Sequence, residues 1–96
     1  MALVVYPNGT TDNVELPEDS QDADSGEFVR LNMMQELVGG YIEAINIAYD
    51  TYTVVLVNED GLLIGLDPNI VASKAVGKPI VGPALFLTSD EWDATD

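Results

Sequence analysis

The stretch "QELVGGYIE", residues 35–43, decides how this chain folds, because two adjacent glycines separate a helical pattern from a strand pattern. On its N-terminal side Phe28, Leu31, Met34 and Val38 recur at spacings of three, three and four, with Met33 and Leu37 beside them. That period puts one apolar stripe on a helix over 26–38. Asp24 with Glu27 resembles a capping box, and Ser25 is a competing N-cap. On the C-terminal side "YIEAINIA", residues 41–48, alternates: Tyr41, Glu43, Ile45 and Ile47 share one face, and Ile42, Ala44, Asn46 and Ala48 the other. Gly39 or Gly40 therefore reads first as a helix C-cap, since glycine adopts the left-handed conformation without a Cβ penalty. A phosphate cradle needs the reverse order, strand then glycines then helix, so that amides and the positive helix end face the anion.

Working outward, "ALVVY" at 2–6 is rich in branched residues, and "PNGT" follows with an Asn-Gly pair that supplies the positive backbone angles of a tight hairpin. The second arm, 10–16, ends at Pro17, which cannot donate to a ladder. Residues 17–27 are expected to form an acidic loop, because "EDSQDADSGE" has one alanine as its apolar content. Beyond the opening stretch, "YTVVLVN" at 52–58 is apolar on both faces, as a central strand is, and pairs with 41–48 through "AYDT". "NEDG" at 58–61 is a turn, "LLIGL" at 62–66 a short strand, Pro68 to Val76 a second helix with Gly77 beyond it, and "PIVGPALFL" at 79–87 a strand. The acidic tail, 88–96, leaves room for no more than one turn of helix. The expected class is α+β, one domain over 1–96 with a small mixed, mostly antiparallel sheet of four or five strands, one main helix and one short helix. A β-grasp-like order satisfies the hairpin–helix–hairpin sequence.

At 96 residues and 47% hydrophobic content the chain has room for one core. It contains no apolar run of about eighteen residues, and "MALVVYPNG" lacks the basic start of a signal peptide, so a soluble, cytoplasmic protein is expected. Without cysteine there is no disulfide or thiolate metal site, and without histidine the commonest zinc ligand and general base are missing. The expectation is a protein that is not an enzyme and uses no cofactor and no metal.

Seventeen acids against Arg30, Lys74 and Lys78 give a net charge of −14. Such a polyanion repels nucleic acid and anionic membranes, which makes a basic protein the expected partner and leaves a homo-oligomer open. The charge is segregated: residues 12–27 hold seven acids and no base, and residues 90–96 hold four. Salt adaptation is the bland alternative, although it spreads acids over a whole surface.

The order of "MQELVGGYIE", "VNEDGLLIGL", "PNIVASK" and "PIVGPALFL" resembles the domain of unknown function 3846 family over residues 31–87. The resemblance implies a small mixed fold and a phage or other mobile-element setting, inside the cell that carries the element. The family has no established activity to carry over. The chain departs from its pattern at Pro83, where family members usually have a polar residue, and in "PNIVASK", which replaces a more basic helix.

Three functional classes stay open. The first is a small acidic protein that binds and modulates a basic host protein, for example an anti-defence factor that mimics nucleic acid. Its partner-binding residues would be Asp12, Glu15, Glu18, Asp19, Asp22, Asp24, Glu27, Asp90, Glu91, Trp92 and Asp93, provided the two acidic stretches converge on one flank. Trp92 is either an interface anchor or a ring folded back on its own sheet. The second class is a non-catalytic binder of a small ligand such as a signalling nucleotide, at Gly39, Gly40, Tyr41, Glu43, Asn58 and Asn69, with Arg30, Lys74 or Lys78 facing the anion. The third is an accessory structural domain. Glu43 shares an apolar strand face, so it is either a buried carboxylate or a wet rim residue. "DADSGE" at 22–27 fails as an EF-hand, with glycine at the fifth place and Met33 at the twelfth, which leaves a weak divalent site or a solvated loop.

Overall fold

A computed structural model describes residues 1–17 and 29–93. The elements run β1 (Ala2–Val5), β2 (Thr11–Val14), α1 (Val29–Val38), β3 (Ile42–Tyr49), β4 (Tyr52–Asn58), α2 (Ile70–Val76), β5 (Ala84–Thr88) and α3 (Ser89–Asp93). Five strands form one sheet in the order β2-β1-β5-β4-β3, and every neighbouring pair is antiparallel. This is an α+β fold, with the last strand inserted between the two hairpins. Helix α1 is described from Val29, so Phe28 and the N-caps proposed at Asp24 and Ser25 lie outside the described residues.

Alternation along the central strands sends side chains to two opposite faces, and both are buried. Ala2, Val4, Val54, Leu56, Leu85 and Leu87 meet Met34 and Val38 of α1 on one face. Val5, Val55, Val57, Ala84 and Phe86 meet Ala72 of α2 and Ile80 on the other. The helical spacing of the opening stretch therefore does what it predicts, and each fully buried Leu or Phe contributes about 1.5–3 kcal/mol of transfer free energy.

Four local expectations are corrected. The first hairpin does not use a two-residue Asn-Gly turn: Gly9 (φ +89°) alone is left-handed there, its N–H donates to the Tyr6 carbonyl, and Asn8 Oδ1 accepts from the Thr10 N–H. Proline at position 7 suits the first corner of an ordinary turn, so the loop takes three residues with glycine last. Residues 62–66 are not a strand; they belong to a run of turns in which the Ile64 N–H donates to the Asp60 carbonyl and the Leu66 N–H to that of Gly61. The second helix begins at Ile70 because Asn69 caps it, its Oδ1 accepting from the Ala72 N–H. The last strand starts at Ala84 rather than 79, since Gly82 is left-handed (φ +75°) and Pro83 lacks a donor.

Candidate functional site

The antiparallel registers fix which segments share an end of the sheet. Ala2 lies opposite Val14, Leu3 opposite Phe86, and Tyr52 opposite Thr88. The exit of β2, the end of β5 with α3, and the β3–β4 turn at Asp50 therefore gather at one end. Asn58, Gly82 and the 59–68 loop occupy the other, about 20 Å away along a seven-residue strand.

Arg30 organises the first end. It sits in the first turn of α1, 5% exposed, and its guanidinium donates to the Pro17 carbonyl at 2.9 Å and to the Glu91 carbonyl at 2.6 Å. Pro17 lies within the first acidic stretch and Glu91 within the second, so one buried cation ties the two stretches together. Burying a guanidinium costs several kcal/mol unless its donors are met, which is why a planar multi-donor side chain suits this junction better than lysine would.

Glu91 has a second role. Its Oε1 accepts from the Thr88 N–H (3.0 Å), the Glu91 N–H donates to Thr88 Oγ1 (3.3 Å), and Oε2 lies 3.7 Å from the Met1 amino group. Thr88-Ser89-Asp90-Glu91 is thus a capping box, the signal in the tail that reading its acids only as charge overlooks. Trp92 is half-buried against the first core cluster. It closes the core instead of standing free as an anchor.

The remaining proposed partner-binding residues divide clearly. Asp12, Glu15 and Asp90 are exposed, and Asp93 ends α3. Glu18, Asp19, Asp22, Asp24 and Glu27 lie outside the described residues, as does the candidate divalent loop 22–27. Asp50, exposed and left-handed (φ +54°), joins the same end although sequence reasoning missed it. Only the pairing of Tyr52 with Thr88 could have placed it there. Among the described residues no group of three or more acids is arranged to hold a metal ion, and no helix is long and apolar enough to cross a membrane.

Of the alternative ligand pocket, Gly39 and Gly40 meet Asn58, and Asn58 shares a cavity with Glu43, but Asn69 does not join them. Gly39 (φ +82°) and Gly40 close α1: the Gly40 N–H donates to the Gln35 carbonyl and the Gly39 N–H to those of Gln35 and Glu36, the bonding of a Schellman cap. Asn58 donates Nδ2 to the Val38 carbonyl while its Oδ1 accepts from the Asp60 N–H. A Cβ at Gly40 would stand 2.9 Å from Asn58 Nδ2, so the second glycine is required by close packing. Asn69 is fully buried in the other layer, its Nδ2 donating to the Val5 and Gly82 carbonyls at 2.9 Å each. Both asparagines are structural staples. Tyr41 is 71% exposed, and Glu43 is exposed at the rim of a cavity of about 230 Å³ that also holds Ile45, Asn58, Glu59 and Lys78. Two carboxylates beside one lysine make this a poor seat for an anion. The apolar side of Glu43's strand is real, since Ile45 and Ile47 pack against the second cluster, and Ile42 on the opposite side packs against the first.

The family model for a domain of unknown function, DUF3846, matches residues 1–96. The chain belongs to the DUF3846 family. The match takes in the first hairpin, the Arg30 junction and α3, so the DUF3846 domain includes both acidic stretches as well as the central motifs. No curated protein and no solved structure matches the chain.

Proposed function

We propose that this DUF3846 protein is a non-catalytic binding protein whose anionic end engages the cationic surface of a host protein that itself handles nucleic acid. The setting we infer is a phage or other mobile element acting in the cytoplasm of its carrier, and the role one of modulating that host protein, as an anti-defence factor does. The observation that carries this reading is the Arg30 junction, which roots the two stretches holding eleven of the seventeen acids at one place. Exposed Asp50 and Asp90 add described charge at the same end. Duplex carries roughly one phosphate charge per 1.7 Å of axis, and a surface built to bind it also attracts an end where the exposed carboxylates of Glu15, Asp50 and Asp90 gather. The ligand-binding alternative loses its support with the structural employment of Gly39, Gly40, Asn58 and Asn69.

Affinity capture from a host lysate tests the proposal. The retained proteins should be basic nucleic-acid binders that are released as salt rises from about 50 to about 200 mM and are displaced by duplex DNA. An Asp50→Asn/Asp90→Asn variant should retain less. Capture of no basic protein, or retention that DNA does not compete, removes the reading.

A further inference from the structure

The sheet ends in two strands of unlike character. β2 has four residues, carries Asp12 and is followed by Glu15, whereas β3 has eight residues with Glu43 as its one charge and neither lysine nor proline. Natural edges are usually shortened, charged, bulged or broken by proline to prevent pairing; β3 carries Glu43 and a bulge toward its C-terminal end, but its regular residues 42–46 hold neither lysine nor proline.

Its bonding pattern shows which groups are on offer. The Glu59 N–H donates to the Tyr41 carbonyl at 2.8 Å, and Ile42 lies opposite Asn58. In an antiparallel ladder bonded and non-bonded pairs alternate, so Tyr41, Glu43 and Ile45 bond toward β4 while Ile42, Ala44 and Asn46 direct their N–H and C=O groups outward. No strand among the described residues lies on that side. Regular pairing stops at a bulge between Asn46 and Tyr49, which confines the available edge to those three residues and the two between them.

We propose that β3 pairs antiparallel with β3 of a second copy of this chain, about a two-fold axis through Ala44. This register sets Ala44 against Ala44 and Ile42 against Asn46, using all three outward residues in six hydrogen bonds. Glu43 then lies across from Ile45 of the second copy. Moving the axis to Glu43 would set two carboxylates face to face, and moving it to Ile45 would lose a pair to the bulge. Because the copies run antiparallel, their anionic ends point in opposite directions and both stay accessible. The ribbon is small, so the dimer belongs with weak, reversible interfaces. Two bodies of charge −14 repel, so it tightens as salt rises, the opposite of the salt response expected for a cationic partner at the anionic end.

Sedimentation equilibrium on the intact chain provides the test. The apparent mass should climb from 10.3 kDa toward twice that with concentration, and more steeply at about 1 M than at about 0.1 M salt. Ala44→Pro deletes an outward N–H without touching a β3–β4 bond and should leave a monomer with the parent's circular dichroism. If that variant misfolds, cysteine substitution in this cysteine-free chain still decides. Paired Cα atoms about 5.5 Å apart accept a disulfide, so oxidised Ala44→Cys should link into dimers at least fivefold more than Glu43→Cys. A monomer at all concentrations and salts, a dimer indifferent to Ala44→Pro, or equal linking by the two cysteine variants overturns the proposal.

Discussion

At the scale of single residues, three side chains that look like ligand groups, Arg30, Asn58 and Asn69, hold backbone together. Asn69 receives one amide and supplies two, all fully buried, so Asn69→Ala removes a helix cap and leaves the Val5 and Gly82 carbonyls without their donor. The expected loss is about 3 kcal/mol, from a cap of about 1 and unsatisfied buried acceptors of about 1 each, measured by urea unfolding. Asn69→Asp keeps the cap acceptor but not the donors and should rescue little. The double glycine is separable in the same way. Gly39→Ala should cost about 1 kcal/mol wherever it is placed, because its penalty is the backbone angle. Gly40→Ala should cost less once Asn58→Ala removes the atom 2.9 Å away, and a double-mutant cycle reads that coupling.

At the scale of elements, what was legible in the sequence was whatever a short window determines. The three-and-four spacing of Leu31, Met34 and Val38 specifies α1, the alternation of 41–48 specifies β3, and Gly39 fixes where one gives way to the other. The "LLIGL" strand failed because its five residues carry an apolar pattern while Gly61 and Gly65 allow a chain of turns. Packing then decides: a Cβ at Gly61 would lie 2.9 Å from Val81, and one at Gly82 2.6 Å from Leu66, so this loop is pressed against the 80–83 segment instead of joining a ladder. Helix α3 was legible in part, since Thr88 and Glu91 are spaced as a capping box in plain view. Its five residues could not stand alone, and the packing of Trp92 on the core is what secures them. Trp92→Ala should therefore lower stability by about 2 kcal/mol, and fluorescence of this single tryptophan should shift to longer wavelength on unfolding. Emission already at the solvent-exposed wavelength in the native protein would show that the ring does not close the core.

At the scale of the whole molecule, the candidate site was the least legible part, because no window of sequence contains it. That Pro17 and Glu91 meet on Arg30 depends on β5 being inserted beside β1, and that Asp50 joins them depends on the register of β4 with β5. The resulting concentration of acids has a cost that can be measured without any partner. Like charges gathered at one end repel, so stability should rise with sodium chloride as the Debye length falls from about 10 Å at 0.1 M to about 3 Å at 1 M, and then level off. Asp50→Asn with Asp90→Asn should raise the melting temperature at low salt and flatten that rise. Asp60→Asn with Asp67→Asn removes the same charge from the opposite end of the sheet and should do less, because those carboxylates lie about 20 Å from the cluster. Equal effects of the two pairs would mean that the acidity acts as a diffuse surface property. A melting temperature still climbing well beyond 1 M, where screening is complete, would assign the acids to salt adaptation and take the physical basis from the proposed binding end.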